Sequence, residues 1–129
     1  MGTWKTFEEI EIWQLARAFC KDIYRIINYE GLNRDYKLRD QINASSGSIM
    51  DNIAEGFNRD GTREFVQFLS ISKGSAGESR SQLYRIYDRD YISEKEFHEL
   101  KDKALEISNK TGALIAYLKN SGYSGIKYK

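Results

Sequence analysis

Few side chains in this sequence are of types that carry chemistry. His98 is the single histidine, and three residues before it stands Lys95, so the Glu-x-x-His pair that builds a di-iron centre inside a helical bundle is missing. No cysteine lies near His98, which makes a metal site there an unsupported expectation. Cys20 has no histidine in its own helix to draw off its proton, and a cysteine on an apolar seam behaves as a small hydrophobe. Gly74-Ser75-Ala76-Gly77 lacks the lysine of a phosphate loop and sits inside a helical pattern, where its amides are already bonded. The run Glu8-Glu9-Ile10-Glu11 complements the start of a helix. No catalytic residue, metal or cofactor is therefore expected, and the chain reads as non-enzymatic.

Charge is the richer signal. Arg59, Arg63, Lys73 and Arg80 recur around one turn and along the helix after it, diluted by Asp60 and Glu64. After Glu106 no acid occurs, whereas Lys110, Lys119, Lys127 and Lys129 do, interleaved with Tyr117, Tyr123 and Tyr128. Cations interleaved with aromatic rings neutralise phosphates and stack bases. The candidate nucleic-acid contacts are thus Arg59, Arg63, Lys73, Arg80, Lys119, Lys127 and Lys129. The competing reading is a solvated, salt-bridged face and a frayed end. A net charge of +1 excludes a strongly basic binder by composition, though not a local basic face.

These residues must be held by helices. Proline is absent, so only glycines and capping residues punctuate the chain. Apolar residues recur at three and four positions in four stretches, predicting helices over about 7–30, 34–57, 62–90 and 93–119, followed by a Gly/Ser/Tyr/Lys tail over 121–129. Gly31 is placed at the end of the first and Asn33 as a possible cap of the second, while Ser93 and Glu96 form an S-x-x-E start signal for the fourth. Links of a few residues force neighbouring helices antiparallel, so the predicted fold is all-α, an up-down-up-down antiparallel four-helix bundle. With 129 residues there is room for one such domain. No run approaches the roughly 18 apolar residues of a membrane span. The start of the chain also lacks a charged-then-apolar leader, and the expected location is the cytoplasm.

Folding back at Asp60 brings the small-residue tracts Asn43 to Ser48 and Gly74 to Gly77 to one height. Close helix approach is the expected reason for them; a serine-lined pocket is the alternative. Ser48, Asn52 and Glu55 are expected to form a structural polar network on this seam, with a ligand-facing acid as the sharper reading of Glu55. On the first helix the apolar arc spans about 160°, wider than a corner helix of a monomer needs. Self-association is therefore expected, with Ile12, Leu15, Phe19 and Ile26 as candidate interface residues.

Three segments, Phe7 to Ala16, Ser48 to Phe57 and Glu64 to Glu78, resemble the 23S rRNA intervening-sequence protein family, most specifically through Asn52-Ile53-Ala54-Glu55-Gly56 in combination with Trp13 and Gly74-Ser75. The resemblance covers nearly the whole chain up to the tail. It implies a bacterial four-helix bundle assembled as a ring-like homopentamer, whose partners are RNA or DNA, or alternatively another protein recruited to the ring surface. A fold relation to pentameric accessory proteins of diversity-generating retroelements, which bind nucleic acid and a reverse transcriptase, points the same way. Basic residues that members often carry after a Gln-Ile pair are here Asn43 and Ala44, which removes positive charge from the second helix.

Overall fold

A computed structural model describes residues 4–121. Four helices form the chain, α1 (Glu11–Ile26), α2 (Tyr36–Phe57), α3 (Thr62–Asp88) and α4 (Glu94–Asn120), with 3-10 turns at Phe7–Glu9 and Leu32–Arg34. No strand occurs among the described residues. Each helix packs on two neighbours: α2 lies between α1 and α3, and α4 closes the bundle against α3 and α1. Cross-contacts run in opposite directions, as from Ser45–Ser79 to Ile49–Ser72 between α2 and α3, and from Asp22–Lys103 to Glu11–Lys110 between α1 and α4. The packing is antiparallel.

The seam of α4 is the one the spacing predicts. Phe97, Leu100, Ala104, Ile107, Thr111, Leu114 and Leu118 are all buried, and Thr111, the one polar member, donates its hydroxyl to the Ile107 carbonyl (2.7 Å). On α3 the buried face runs from Phe65 to Ile86, while Ile71, apolar but off that face, is 52% exposed.

The first helix is shorter than expected. Glu9 reaches back to accept from the backbone N–H groups of Lys5 (3.1 Å) and Thr6 (3.0 Å), which closes a 3-10 turn, and Ile10 is extended before α1 begins. At the other end α1 stops at Ile26. Gly31 lies beyond it at φ 102, a left-handed conformation that disfavours any side chain, and the Tyr91 ring fills the space where a Cβ would stand. Asn33 falls within the second 3-10 turn, and α2 starts two residues later than expected, after Asp35. Asp35 accepts from Arg89 (2.7 Å) and from the Tyr91 hydroxyl (2.9 Å), tying this link to the α3–α4 link. Those two donors, Arg89 foremost, hold its carboxyl below the usual carboxylate range. Helix α3 ends at Asp88, and Asp90 turns the chain at φ 61. Ser93 accepts from the Glu96 N–H (3.1 Å) as the start signal predicts. The Glu96 carboxylate does not return to Ser93; it accepts from the Tyr29 hydroxyl (2.5 Å) and so pins the end of α1 to α4.

The wide apolar arc of α1 has an internal explanation. Ile12, Ala16, Phe19, Ile23 and Ile26 are all buried within the single chain, because the helix inserts the middle of the arc between α2 and α4. Ile12, Phe19 and Ile26 are thus core residues rather than the interface residues the arc predicts. Of the four candidates only half-buried Leu15 keeps exposed surface.

Candidate nucleic-acid interface

The interior between α2 and α3 is closed by its own polar groups. Ser79 and Ser45 hydroxyls lie 2.8 Å apart, and Ser45 donates onward to Gln82 Oε1 (2.6 Å). Ser72 donates to the Ile49 carbonyl (2.8 Å). Ser75 donates to Ser48 (2.9 Å), and Asn52 donates to both the hydroxyl and the carbonyl of Ser48 (2.8 Å each). The Ser48–Asn52 network is as expected, with Ser75 as a further member. Glu55 takes no part. It is exposed and accepts from Arg59 one turn on (2.7 Å), since its position on α2 lies just past the margin of the seam. Gln82 was not legible as a partner, because its reach across to Ser45 depends on the rotation of α3.

The glycines of the small-residue tracts do not serve close packing. Gly47, Gly74 and Gly77 have no atom within 4 Å of where a Cβ would stand. The close approach occurs instead at Gly56, where a Cβ would fall 2.5 Å from that of Phe68.

What Gly74 and Gly77 open is a groove on the outer face between α3 and α4. Three successive depressions line up along it. The first holds Arg63, Ser70, Ile71 and Lys119. The second is lined by Lys73, Gly74, Gly112 and Ile115, with Ser70 shared between the two. The third has Gly77, Arg80, Tyr84, Lys101 and Leu105. Gly112 lets the Lys73 stem lie across the groove toward α4, since a Cβ there would meet Lys73 Cε at 3.4 Å. On α3 the lining residues advance by threes and fours from Arg63 to Tyr84, and on α4 from Lys101 to Lys119, so each set forms one stripe of its helix.

The electrostatics of the groove are one-signed. Arg63, Lys73, Arg80, Lys101 and Lys119 line it, and no acid does. Lys73, Arg80 and Lys119 make no ion pair among the described residues. Two acids of these helices lie to the flanks of the groove: Glu78 stands beside Gln82 toward α2, and Glu106 pairs with Lys110, which also reaches Glu11 of α1. From Arg63 to Arg80 the row extends about 25 Å at helical rise.

Of the sequence candidates, the structure thus brings together Arg63, Lys73, Arg80 and Lys119. Arg59 stands apart, held by Glu55 with its guanidinium over the Phe68 ring (5.1 Å). Lys127 and Lys129 lie outside the described residues. Lys101 was missed. Its signal was present, since Lys101, Leu105, Ser108, Gly112, Ile115 and Lys119 repeat at four and three, but its pairing with α3 needs the antiparallel register.

The other chemistry-bearing residues sit elsewhere. His98 is exposed on α4, opposite the seam. Cys20 is half-buried, its Sγ donating to the Ser46 carbonyl (3.2 Å), and burial pushes the thiol above its ordinary range. Among the described residues no cluster of three or more His, Cys, Asp or Glu side chains has the arrangement of a metal site, and no helix is long and apolar enough to cross a membrane.

A crystal structure described as a protein of unknown function from the S23 ribosomal protein family of Bacteroides thetaiotaomicron VPI-5482 is similar in fold, with a TM-score of 0.72 at 21% identity, covering 81% of this chain and 97% of that one. No curated protein matches the chain in sequence. Residues 8–113 match the family of 23S rRNA-intervening sequence proteins, a span that takes in α1, α2, α3 and most of α4. Sequence match and helical architecture agree over the same stretch, and the chain belongs to the 23S rRNA-intervening sequence protein family.

Proposed function

We propose that this protein is a non-enzymatic nucleic-acid binder whose α3/α4 groove holds the phosphate backbone. The observation that carries the reading is the row of Arg63, Lys73, Arg80, Lys101 and Lys119 along a groove with no lining acid. Like charges gathered in a recess repel one another, and a chain of phosphates relieves that repulsion while releasing its own counterions. The family's name, which refers to a sequence within 23S rRNA, is in keeping with such a partner.

Assembly as a homopentameric ring is part of the same proposal. With Ile12, Phe19 and Ile26 in the core, contacts between copies fall to apolar surface the single chain leaves outside, such as Tyr24 (66% exposed) on α1 and Tyr36 (64% exposed) on α2. Repeating the groove around a ring multiplies the phosphate contacts available to one strand.

Fluorescence anisotropy of a labelled oligonucleotide, titrated with protein at rising salt, tests the reading. Five cations on a single strand give a slope of log affinity against log salt of about −3.5, a loss of about 100-fold between 50 and 200 mM. A slope near zero, or no binding at 50 mM, counts against it. Light scattering on the same samples reads the number of copies.

A further inference from the structure

We infer that the groove takes a single strand rather than a duplex, a deepening that rests on the nucleic-acid reading above. Duplexes hide their base faces and offer phosphates on a convex surface, and many proteins that read them insert a protruding helix or β-ribbon into a major groove about 12 Å wide. Here the charge lies in a recess between two packed helices, whose axes stand about 8–10 Å apart. The recess is floored at backbone level by Gly74 and Gly77, beside which nothing stands within 4 Å of a virtual Cβ.

The lining also alternates. Between the cations stand apolar surfaces that no phosphate uses: Ile71 (52% exposed), Leu105 (39% exposed) and Tyr84 (47% exposed). Tyr84 is held as a platform, its ring edge-on to Phe97 at 4.9 Å, and Phe97 is itself stacked on Tyr87 at 4.5 Å. An aromatic face beside Arg80 and Lys101 matches an unpaired nucleotide, with a base to stack and a phosphate to neutralise. In a duplex the base is already stacked on its neighbours, so Tyr84 gains nothing from it.

The test compares labelled 12-residue oligo-dT and oligo-U with a 12-base-pair duplex carrying the same label, using the full chain and its Tyr84→Ala and Tyr84→Phe variants. Expected are single strands at least tenfold tighter than duplex, a loss of about tenfold for single strands in Tyr84→Ala with duplex affinity unchanged, and recovery in Tyr84→Phe. Gly74→Leu, which fills the floor at an exposed helical position, should weaken single strands and leave the thermal midpoint equal or higher. Duplex bound as tightly as single strand, with Tyr84→Ala indifferent, overturns the inference and leaves the groove reading standing. Absence of binding to all three oligonucleotides at 50 mM salt overturns both.

Discussion

Lys73→Glu combined with Arg80→Glu lowers the affinity for a labelled single strand by about 100-fold at 50 mM salt and flattens the salt slope from about −3.5 to about −2. Each lost phosphate contact removes close to a tenfold factor at that salt through counterion release, and the introduced carboxylates repel the strand as well. Lys73 and Arg80 lie on opposite sides of Gly74 and Gly77 in the groove, and neither forms an ion pair within the described chain, so the thermal midpoint should stay within a few degrees. The matched control is Lys21→Glu with Lys37→Glu, which changes net charge equally on exposed positions of α1 and α2. Only a several-fold loss is expected there, from the weaker long-range field. Equal losses in the two double variants would mean that net charge, not the groove, governs binding.

Phe65→Ala destabilises the fold by about 3–5 kcal/mol, the range for removing a buried aromatic ring. Phe65 is wholly buried at the start of α3, edge-on to Phe57 at 5.9 Å, and its Cδ1 would lie 3.2 Å from a Cβ on Gly56. The ring therefore fills the corner where α2 turns into α3, and Gly56 with Phe68 backs it so closely that the cavity has little means of collapse. Against a total stability of about 5–15 kcal/mol this is a large fraction, equivalent to a fall of roughly 10–20 °C in the midpoint. Circular dichroism at a helical wavelength during heating reads it. A loss under about 1 kcal/mol would show that the corner repacks freely.

Features set by spacing along the chain are legible in the sequence, and features set by packing between helices are not. Spacing within one helix was enough for α4, whose seven seam residues are all inward, and the short turn at Asp60 was enough for the level of Ser48 opposite Ser75. It was not enough for α1. Ile12, Phe19 and Ile26 are apolar whether they meet the core or another copy, and only the insertion depth of the helix separates those outcomes. Glu55 lies at the margin of the seam, where the rotation of α2 decides between the serine network and solvent, and it pairs with Arg59 one turn along. Glycine in a small-residue tract permits close approach without requiring it, and here Gly74 and Gly77 face outward while Gly56 makes the contact. The candidate groove was half legible. Arg63, Lys73 and Arg80 share a stripe of α3, but Lys101 and Lys119 join them only once α4 is laid antiparallel alongside, which is a property of packing rather than of spacing.

Lysine acylation with and without saturating oligonucleotide, read residue by residue by mass spectrometry, locates the bound strand most directly. The groove predicts several-fold protection of Lys73, Lys101 and Lys119, with Lys21, Lys37 and Lys95 on other faces unchanged. Protection confined to Lys21 and Lys37, or spread evenly over all six, would contradict it.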